Sequence, residues 1–221
     1  VRKRCKTTFN EFRPRFITWS KAHKRSWARD ERLTKNLSSH FGTMNLEAIT
    51  PAHVEQYKAR RLSGELTFGE HGQTAGPSTV NRELACLRRM LNLAVEWGCL
   101  AENQLAGKIK LLVEPEGRTL YLAPNEAERL LSECAEHFRP VVRIALLTGM
   151  RKSEILGLTW GEVTIGRGVI HLPGTRTKNG RPRTIPLSME ARGLLARTKR
   201  TMIEDCDLVF HRDGRSLGNI R

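Results

Sequence analysis

Residues 145–160 read A-L-L-T-G-M-R-K-S-E-I-L-G-L-T-W, and this stretch decides how the second half of the chain is interpreted. An apolar run ends at Thr148-Gly149, and the sequence predicts a further short helix directly after it. Arg151 therefore lies at the head of a helix, where free backbone N–H groups and a partial positive charge favour an anion. Glu154 follows three residues later on the same helix face, so it can hold a neighbouring cation in position. The pattern indicates a phosphate site, although an ordinary surface Arg–Glu pair has the same spacing.

A second informative stretch, residues 175–186, reads T-R-T-K-N-G-R-P-R-T-I-P. Asn179-Gly180 is a strong hairpin signal, because both central positions of a type I′ turn need a positive φ. The sequence therefore predicts that Thr175–Lys178 pairs antiparallel with Arg181–Ile185, which places Lys178 immediately before the turn. Two prolines in this stretch suggest an exposed edge strand.

Together the two stretches resemble the tyrosine recombinases, the phage-integrase family. That family has a buried helix, a Thr-Gly break and R-x-x-E-(I/L)-x-x-L, followed by a β-hairpin whose lysine is catalytic. The resemblance implies that Arg151 binds the scissile phosphate and stabilises the charge of a pentavalent transition state. It also implies that Lys178 protonates the 5′-oxygen leaving group, and that Glu154 supports Arg151 or a facing histidine. Such chemistry requires no metal and no cofactor.

The chain departs from the family pattern in its tyrosines and histidines. The family uses a tyrosine nucleophile that forms a 3′-phosphotyrosine bond, and it has an H-x-x-R box downstream of the arginine. Tyr57 and Tyr121 both precede Arg151, and no H-x-x-R follows it. The chain also starts at Val1 without methionine and stops at Arg221. We therefore expect a fragment: its parent would break and rejoin DNA, whereas this chain would bind duplex DNA without cleaving it.

The first half of the sequence predicts helices throughout. Apolar residues at three- and four-residue steps, together with helix start signals, indicate helices over residues 8–23, 27–40, 50–61 and 79–97. Gly42 is expected to end the second of these in a left-handed conformation. Ser78 is expected to cap the fourth.

The strongest of these helices, residues 79–97, has a polar stripe opposite its apolar one. The stripe could reach phosphates or base edges in a DNA groove, and it consists of Asn81, Arg82, Arg89 and Asn92. A solvated helix face is the alternative. On either side of Lys178, Arg176 and Arg181 are also expected to contact DNA.

These elements predict a mainly α fold with a small antiparallel β-sheet. Residues 1–113 would form a helical core-binding domain that clamps DNA. Residues 114–118, which include a proline and a glycine, would be the linker. Residues 119–221 would form a partial catalytic domain of mixed α+β structure, with a last short strand over residues 208–210.

The chain of 221 residues has 38 Lys and Arg against 23 Asp and Glu, a formal net charge of +15. Residues 1–118 hold 21 basic and 12 acidic residues, and residues 119–221 hold 17 and 11, so the charge is not confined to a tail. Such a charge attracts polyanions, of which nucleic acid is the commonest. The five cysteines are scattered, and no apolar run is long enough for a membrane span. Both features indicate a cytoplasmic protein with reduced thiols.

These observations favour a site-specific DNA recombinase, from a prophage or another mobile element, that binds duplex DNA and oligomerises on it. Two other functions remain open from the sequence. A non-catalytic DNA-binding regulator could have the same fold without the nucleophile. An RNA- or ribosome-binding protein would carry the same basic charge.

Overall fold

The computed structural model describes residues 7–68, 72, 74–117, 120–201 and 203–218. The chain divides into two compact units, Val1–Arg118 and Thr119–Arg221. Helices are the commonest regular element in both units, and the strands form short antiparallel pairs in the second. The mainly α fold with small antiparallel sheets that the sequence predicts is therefore confirmed. None of the helices in the described ranges is long and apolar enough to cross a membrane.

The described part of the first unit contains four α-helices. They are α1 (Phe9–His23), α2 (Trp27–Phe41), α3 (Pro51–Ser63) and α4 (Pro77–Glu96). Thr8 and Thr50 cap α1 and α3, because each hydroxyl accepts a hydrogen bond from the backbone N–H three residues later. Pro51 and Pro77 occupy the first helical position, where a backbone N–H would have no partner within the helix.

Helix α4 is the central helix of this unit and is buried on more than one side. The predicted apolar stripe consists of Val80, Leu84, Leu87, Leu91, Ala94 and Val95, and all of these except the half-buried Val95 are buried. Further buried positions lie outside that stripe, namely Cys86, Met90 and Leu93. Helix α2 packs against α4, and the chain after α4 returns across another side of it. A helix surrounded in this way has little polar face left for solvent.

Two details of the helix ends differ from the prediction. Gly42 follows α2 with a φ of −51°, so the predicted left-handed conformation is wrong. Close packing requires glycine there instead, because a Cβ would collide with the Ser38 carbonyl oxygen and the Asn10 amide. The predicted Ser78 cap is also wrong, because α4 already begins at Pro77.

The described part of the second unit contains four α-helices and two small sheets. The helices are α5 (Pro124–Glu133), α6 (Arg139–Thr148), α7 (Lys152–Leu156) and α8 (Met189–Arg200). The strands are β1 (Val163–Thr164), β2 (Val169–Leu172), β3 (Arg183–Pro186), β4 (His211–Arg212) and β5 (Arg215–Ser216). Strands β1, β2 and β3 form one antiparallel sheet in that order, and β4 pairs with β5. The core of the unit combines side chains of α6, α7, α8 and the larger sheet.

The connection between β2 and β3 is longer than the sequence predicts. The two strands pair only as far as Leu172 opposite Arg183, and residues 173–182 lie between them. The predicted pairing of Thr175–Lys178 with Arg181–Ile185 is therefore wrong. Strand β3 does lie at the edge of its sheet, as Pro182 directly before it and Pro186 at its end suggest.

Asn179 and Gly180 do not form a type I′ turn, because only Gly180 has a positive φ, 72°. The buried Thr177 spans the connection instead. Its hydroxyl lies 3.1 Å from the Gly174 carbonyl oxygen and 2.7 Å from the Arg181 carbonyl oxygen. Side-chain hydrogen bonds of Thr177 thus fix this loop, and they could not be predicted from the Asn-Gly pair.

The strand predicted over residues 208–210 is not formed. Leu208 makes an isolated bridge to Thr159, and the strand pair β4–β5 begins directly after residue 210. Asp213 and Gly214 form the turn of this pair, with φ values of 52° and 75°. Both central residues are left-handed, as a two-residue Asp-Gly hairpin requires.

Candidate functional site

Arg151 and Glu154 are joined at the start of α7. The Glu154 carboxylate accepts hydrogen bonds from the Arg151 backbone N–H at 2.8 Å and from Arg151 Nη1 at 3.1 Å. The Glu154 side chain is 1% exposed, whereas that of Arg151 is 53% exposed. The buried carboxylate thus accepts a hydrogen bond from the backbone N–H at the start of the helix, as the acidic residue of a capping box does. The Arg151 guanidinium stays exposed to solvent.

A second arginine, Arg183 of β3, shares the same carboxylate. Its Nη2 donates to Glu154 Oε2 at 2.7 Å, so one buried anion serves two guanidiniums. Burial raises the pKa of the Glu154 carboxyl, but the hydrogen bonds from Arg151 and the charge of Arg183 outweigh it. The pKa is therefore held below its ordinary value, and Glu154 is ionised at neutral pH.

Arg183 is missing from the residues predicted from sequence, although the sequence contains a signal for it. Arg183 and the buried Ile185 are two residues apart in β3, so their side chains point to the same face of the strand. That alternation indicates an arginine directed toward the interior of the unit. Within the described residues, its Nε is buried without a hydrogen-bond partner.

Lys178 lies in the β2–β3 connection, and both sides of this connection are attached to α7. On one side, Arg176 Nη2 donates to the Glu154 carbonyl oxygen at 3.1 Å. On the other side, Arg183 binds the Glu154 carboxylate. The segment that carries Lys178 is thus linked through one residue to the helix that follows Arg151.

The Lys178 side chain is exposed and has no hydrogen-bond or ion-pair partner among the described residues. The loop around it is closely packed, because a Cβ on Gly174 would collide with the Gly180 carbonyl oxygen. The arrangement therefore presents an ammonium on a fixed loop and a guanidinium on an adjoining helix. A guanidinium binds two phosphate oxygens at once, and an ammonium supplies a charge and a transferable proton.

Arg176 has hydrogen-bond partners within its own unit, and its contact with DNA stays a prediction from the sequence. Its Nη1 donates to the Gly157 carbonyl oxygen and to the Glu162 carboxylate at 3.2 Å, and its Nη2 donates to the Glu154 carbonyl oxygen. These partners hold the guanidinium within the unit. Arg181 is exposed, and its position leaves it available to an external anion.

The two asparagines predicted to face DNA do not lie on a free face of α4. Asn81 is 6% exposed, and its amide is hydrogen bonded to the backbone of Leu112. Asn92 is half-buried and accepts a hydrogen bond from Asn103 Nδ2 at 2.6 Å. The chain returns across this side of α4 and hydrogen bonds to both residues, to the whole amide of Asn81 and to the carbonyl oxygen of Asn92.

The two arginines of the same stripe are placed differently. Arg82 is exposed and donates to the Ser78 carbonyl oxygen in its own helix at 3.1 Å. The Arg89 guanidinium lies 4.9 Å from the centre of the Trp19 ring and 3.3 Å from the Glu96 carboxylate. Arg82 is therefore available to an external anion, whereas Arg89 already has two partners.

A groove of about 680 Å³ lies between α2 and the start of α4. The exposed residues Arg32 and Lys35 line it from α2. Glu83 and Arg61 also line it and form a buried ion pair 3.0 Å apart. The prediction from sequence omitted Arg32 and Lys35, although their three-residue spacing places both on one face of a helix. They add a second basic surface in the first unit.

Residues 121–216 match the Phage integrase family. The matched range includes α7, the shared carboxylate and the whole β2–β3 connection. The chain belongs to this family, the tyrosine recombinases, as the resemblance indicated.

Two relatives are similar over much of this chain. The shufflon-specific DNA recombinase of Escherichia coli is 35% identical over 162 residues, which are 68% of this chain and 39% of that protein. The integrase of Haemophilus phage HP1 is 32% identical over 178 residues, 77% of this chain and 50% of that protein. The chain thus spans half the length of these relatives or less.

The fold is also found in a solved structure of lambda integrase, described as a dimer bound to a COC′ core site. The TM-score is 0.76 at 14% identity, and the match covers 96% of this chain and 76% of that chain. At this level of identity the similarity shows a shared fold.

Proposed function

We propose that this chain is part of a site-specific DNA recombinase and binds duplex DNA through Arg151 and Lys178. The observation that carries the proposal is the buried Glu154, which holds the exposed Arg151 guanidinium and is linked through Arg183 to the connection that presents Lys178. The net charge of +15 supports a polyanionic partner. The similarity to a shufflon-specific DNA recombinase and to a phage integrase supports DNA recombination in particular.

In the proposed reaction of the whole protein, a tyrosine oxygen forms a bond to the scissile phosphorus, and the bond to the 5′ oxygen breaks. Arg151 would bind two non-bridging oxygens and stabilise the charge that develops at the pentavalent stage. Lys178 would donate a proton from Nζ to the departing 5′ oxygen. Glu154 would be a positioning residue, because it contacts Arg151 and not the phosphate.

Tyr57 is unsuited to the role of nucleophile. Its hydroxyl is fully buried and donates to Glu83 Oε2 at 2.7 Å. Burial and the neighbouring Glu83 charge raise the pKa of Tyr57 well above its ordinary value. Tyr121 is exposed, but it precedes Arg151 in the chain. We propose that the present sequence by itself binds DNA without forming a covalent bond to it.

Both units would take part in DNA binding. In the first unit, Arg82 and the pair Arg32 and Lys35 are the exposed basic residues that we assign to DNA. In the second unit the assigned residues are Arg151 and Lys178. The lambda integrase structure contains a dimer on a core site, and we propose that the protein likewise acts as an oligomer on DNA of a phage or another mobile element.

Binding of a labelled duplex of about 30 base pairs, followed by fluorescence anisotropy over a range of salt concentrations, tests this function. Arg151→Ala and Lys178→Ala should each weaken binding about fivefold, because each removes a charge-assisted phosphate contact. Each should also make the negative slope of log affinity against log salt less steep by about 1. Arg167→Ala is the matched control, because this exposed arginine lies in the turn between β1 and β2, away from the proposed site.

Two results would contradict the proposal. One is equal behaviour of the Arg151→Ala and Arg167→Ala variants, which would make the effect one of net charge alone. The other is displacement of the duplex by structured RNA at equal concentration, which would favour an RNA-binding protein.

A further inference from the structure

The segment that follows the helices of the first unit, residues 109–114, is attached to α3 and α4 by side chains from both helices. Lys58 of α3 donates to the Lys110 carbonyl oxygen. Arg88 Nη2 of α4 donates to the Ile109 carbonyl oxygen at 3.4 Å. We call residues 109–114 the strap. The residues predicted as the linker begin where the strap ends.

Asn81 makes the most complete attachment to the strap. Its Nδ2 donates to the Leu112 carbonyl oxygen at 2.9 Å, and its Oδ1 accepts from the Leu112 N–H at 2.8 Å. The side-chain amide thus pairs with one residue as a neighbouring β-strand would. Its Nδ2 also donates to Glu114 Oε1 at 2.8 Å. All the strong hydrogen-bonding groups of this buried amide are directed at the strap.

Lys58 shows that the strap belongs to the folded unit. Its side chain is only 6% exposed, and its ammonium is held by the exposed Glu55 and by the Lys110 carbonyl oxygen. A buried ammonium needs such partners to offset its lost hydration. Removal of the strap would take one of the two away, so the strap and α3 stabilise each other.

We propose that Asn81 is the positioning residue that fixes where the chain leaves the first unit, and so sets the length of the tether between two DNA-binding units. The inference rests on the proposed function, because the tether length affects binding only when both units contact one duplex. Joining two binding modules raises the local concentration of the second, and this concentration falls with tether length to roughly the −3/2 power.

The size of the effect follows from residue counts. With the strap attached, the stretch of sequence between the strap and α5 is residues 115–123, because α5 begins at Pro124. Release of the strap adds residues 109–114 and lengthens the tether by about 20 Å when fully extended. The local concentration of the second unit, and with it the affinity for a duplex, should fall about twofold.

The experiment combines hydrogen exchange with duplex binding on the full chain. Asn81→Ala should raise amide exchange in the strap at least tenfold, because the Leu112 N–H loses its acceptor. It should also weaken binding of a duplex of about 30 base pairs about twofold. Asn92→Ala is the matched control, since this asparagine is also on α4 but contacts Asn103 and not the strap.

A second variant keeps the test independent of folding. An insertion of six Gly and Ser residues after Glu116 lengthens the tether and leaves Asn81 untouched. It should weaken duplex binding by the same factor as Asn81→Ala, with strap exchange unchanged. If Asn81→Ala fails to fold, the insertion alone decides whether tether length affects binding.

Three outcomes overturn the proposal. If amide exchange in the strap is unchanged in Asn81→Ala, Asn81 does not attach the strap. If duplex affinity is unchanged in the insertion variant, tether length does not affect binding. The same follows if affinity is unchanged in a folded Asn81→Ala variant whose strap is released. A wild-type chain that does not bind the duplex would overturn the proposed function and the role of Asn81 in it, whereas the exchange results would still report the attachment.

Discussion

Replacement of Glu154 by alanine should destabilise the second unit, because one buried carboxylate has three contacts there. It accepts hydrogen bonds from the Arg151 backbone N–H, from Arg151 Nη1 and from Arg183 Nη2. Without it, two guanidiniums lose their common anion, and the first turn of α7 loses its cap. Arg151 would also lose the partner that fixes its orientation.

The expected loss is about 2–4 kcal/mol and has two parts. The lost cap contributes about 1 kcal/mol. Breaking a buried charge pair costs about 3–5 kcal/mol, but solvent screening reduces this to about 1–3 kcal/mol because the arginines remain in contact with water. The Arg151 and Arg183 side chains are 53% and 39% exposed. Glu154→Gln keeps an acceptor for the Arg151 N–H, so it should lose only about 1–2 kcal/mol.

The measurement is urea unfolding of the full chain, with hydrogen exchange of the α8 amides as the readout of the second unit. Glu190→Ala is the control, because this exposed carboxylate pairs with Arg143 at 3.1 Å and should contribute less than about 0.5 kcal/mol. If Glu154→Ala lowers the unfolding free energy no more than Glu190→Ala does, the reasoning is refuted. The Glu154 contacts would then stabilise the unit no more than an exposed ion pair does.

The stability difference between wild type and Glu154→Gln depends on pH with a definite sign. The folded-state pKa of Glu154 lies below the ordinary 4.5, so the ionised carboxylate stabilises the fold above that pH. This contribution is lost as pH falls through the folded-state pKa. The difference in unfolding free energy between wild type and Glu154→Gln should therefore be constant near neutral pH and shrink in acid. A difference that grew in acid would contradict the direction of the pKa shift.

Two further substitutions test the hydrogen-bond networks of the two units. Thr177→Val should cost about 1–3 kcal/mol and speed exchange in the loop that presents Lys178, because the Arg181 carbonyl oxygen loses its donor; Thr177→Ser should retain most of the stability. Tyr57→Phe should lower the unfolding free energy of the first unit by about 1–2 kcal/mol, since Glu83 loses one of its donors. Equal stability of the Val and Ser variants, or of Tyr57→Phe and wild type, would contradict these assignments.

The elements that local chemistry controls could be predicted from the sequence. Thr50-Pro51 begins α3, and Gly149 ends α6 with a left-handed φ of 62°, because a cap, a proline or a glycine acts on its own turn. The apolar stripe of α4 is also buried as predicted. The polar side of α4 could not be predicted in this way, because Asn81 is buried by Leu112, a residue far along the chain.

The site shows the same division. The positions of Arg151 and Glu154 on one helical turn follow from their three-residue spacing. The loop of Lys178 does not follow from Asn-Gly, because Thr177 and a long-range bond from Arg176 to Glu154 decide its conformation. Arg183 reaches Glu154 from a strand, and only the register of that strand reveals the contact.

A double-mutant cycle of Arg151→Ala and Lys178→Ala in duplex binding tests the central claim most directly. If both side chains bind one phosphate, the two losses are coupled. The loss of binding free energy in the double variant should then be smaller than the sum of the losses in the two single variants, with a coupling energy of about 1 kcal/mol. Losses that add to within about 0.3 kcal/mol would show two independent contacts and contradict a single phosphate-binding centre.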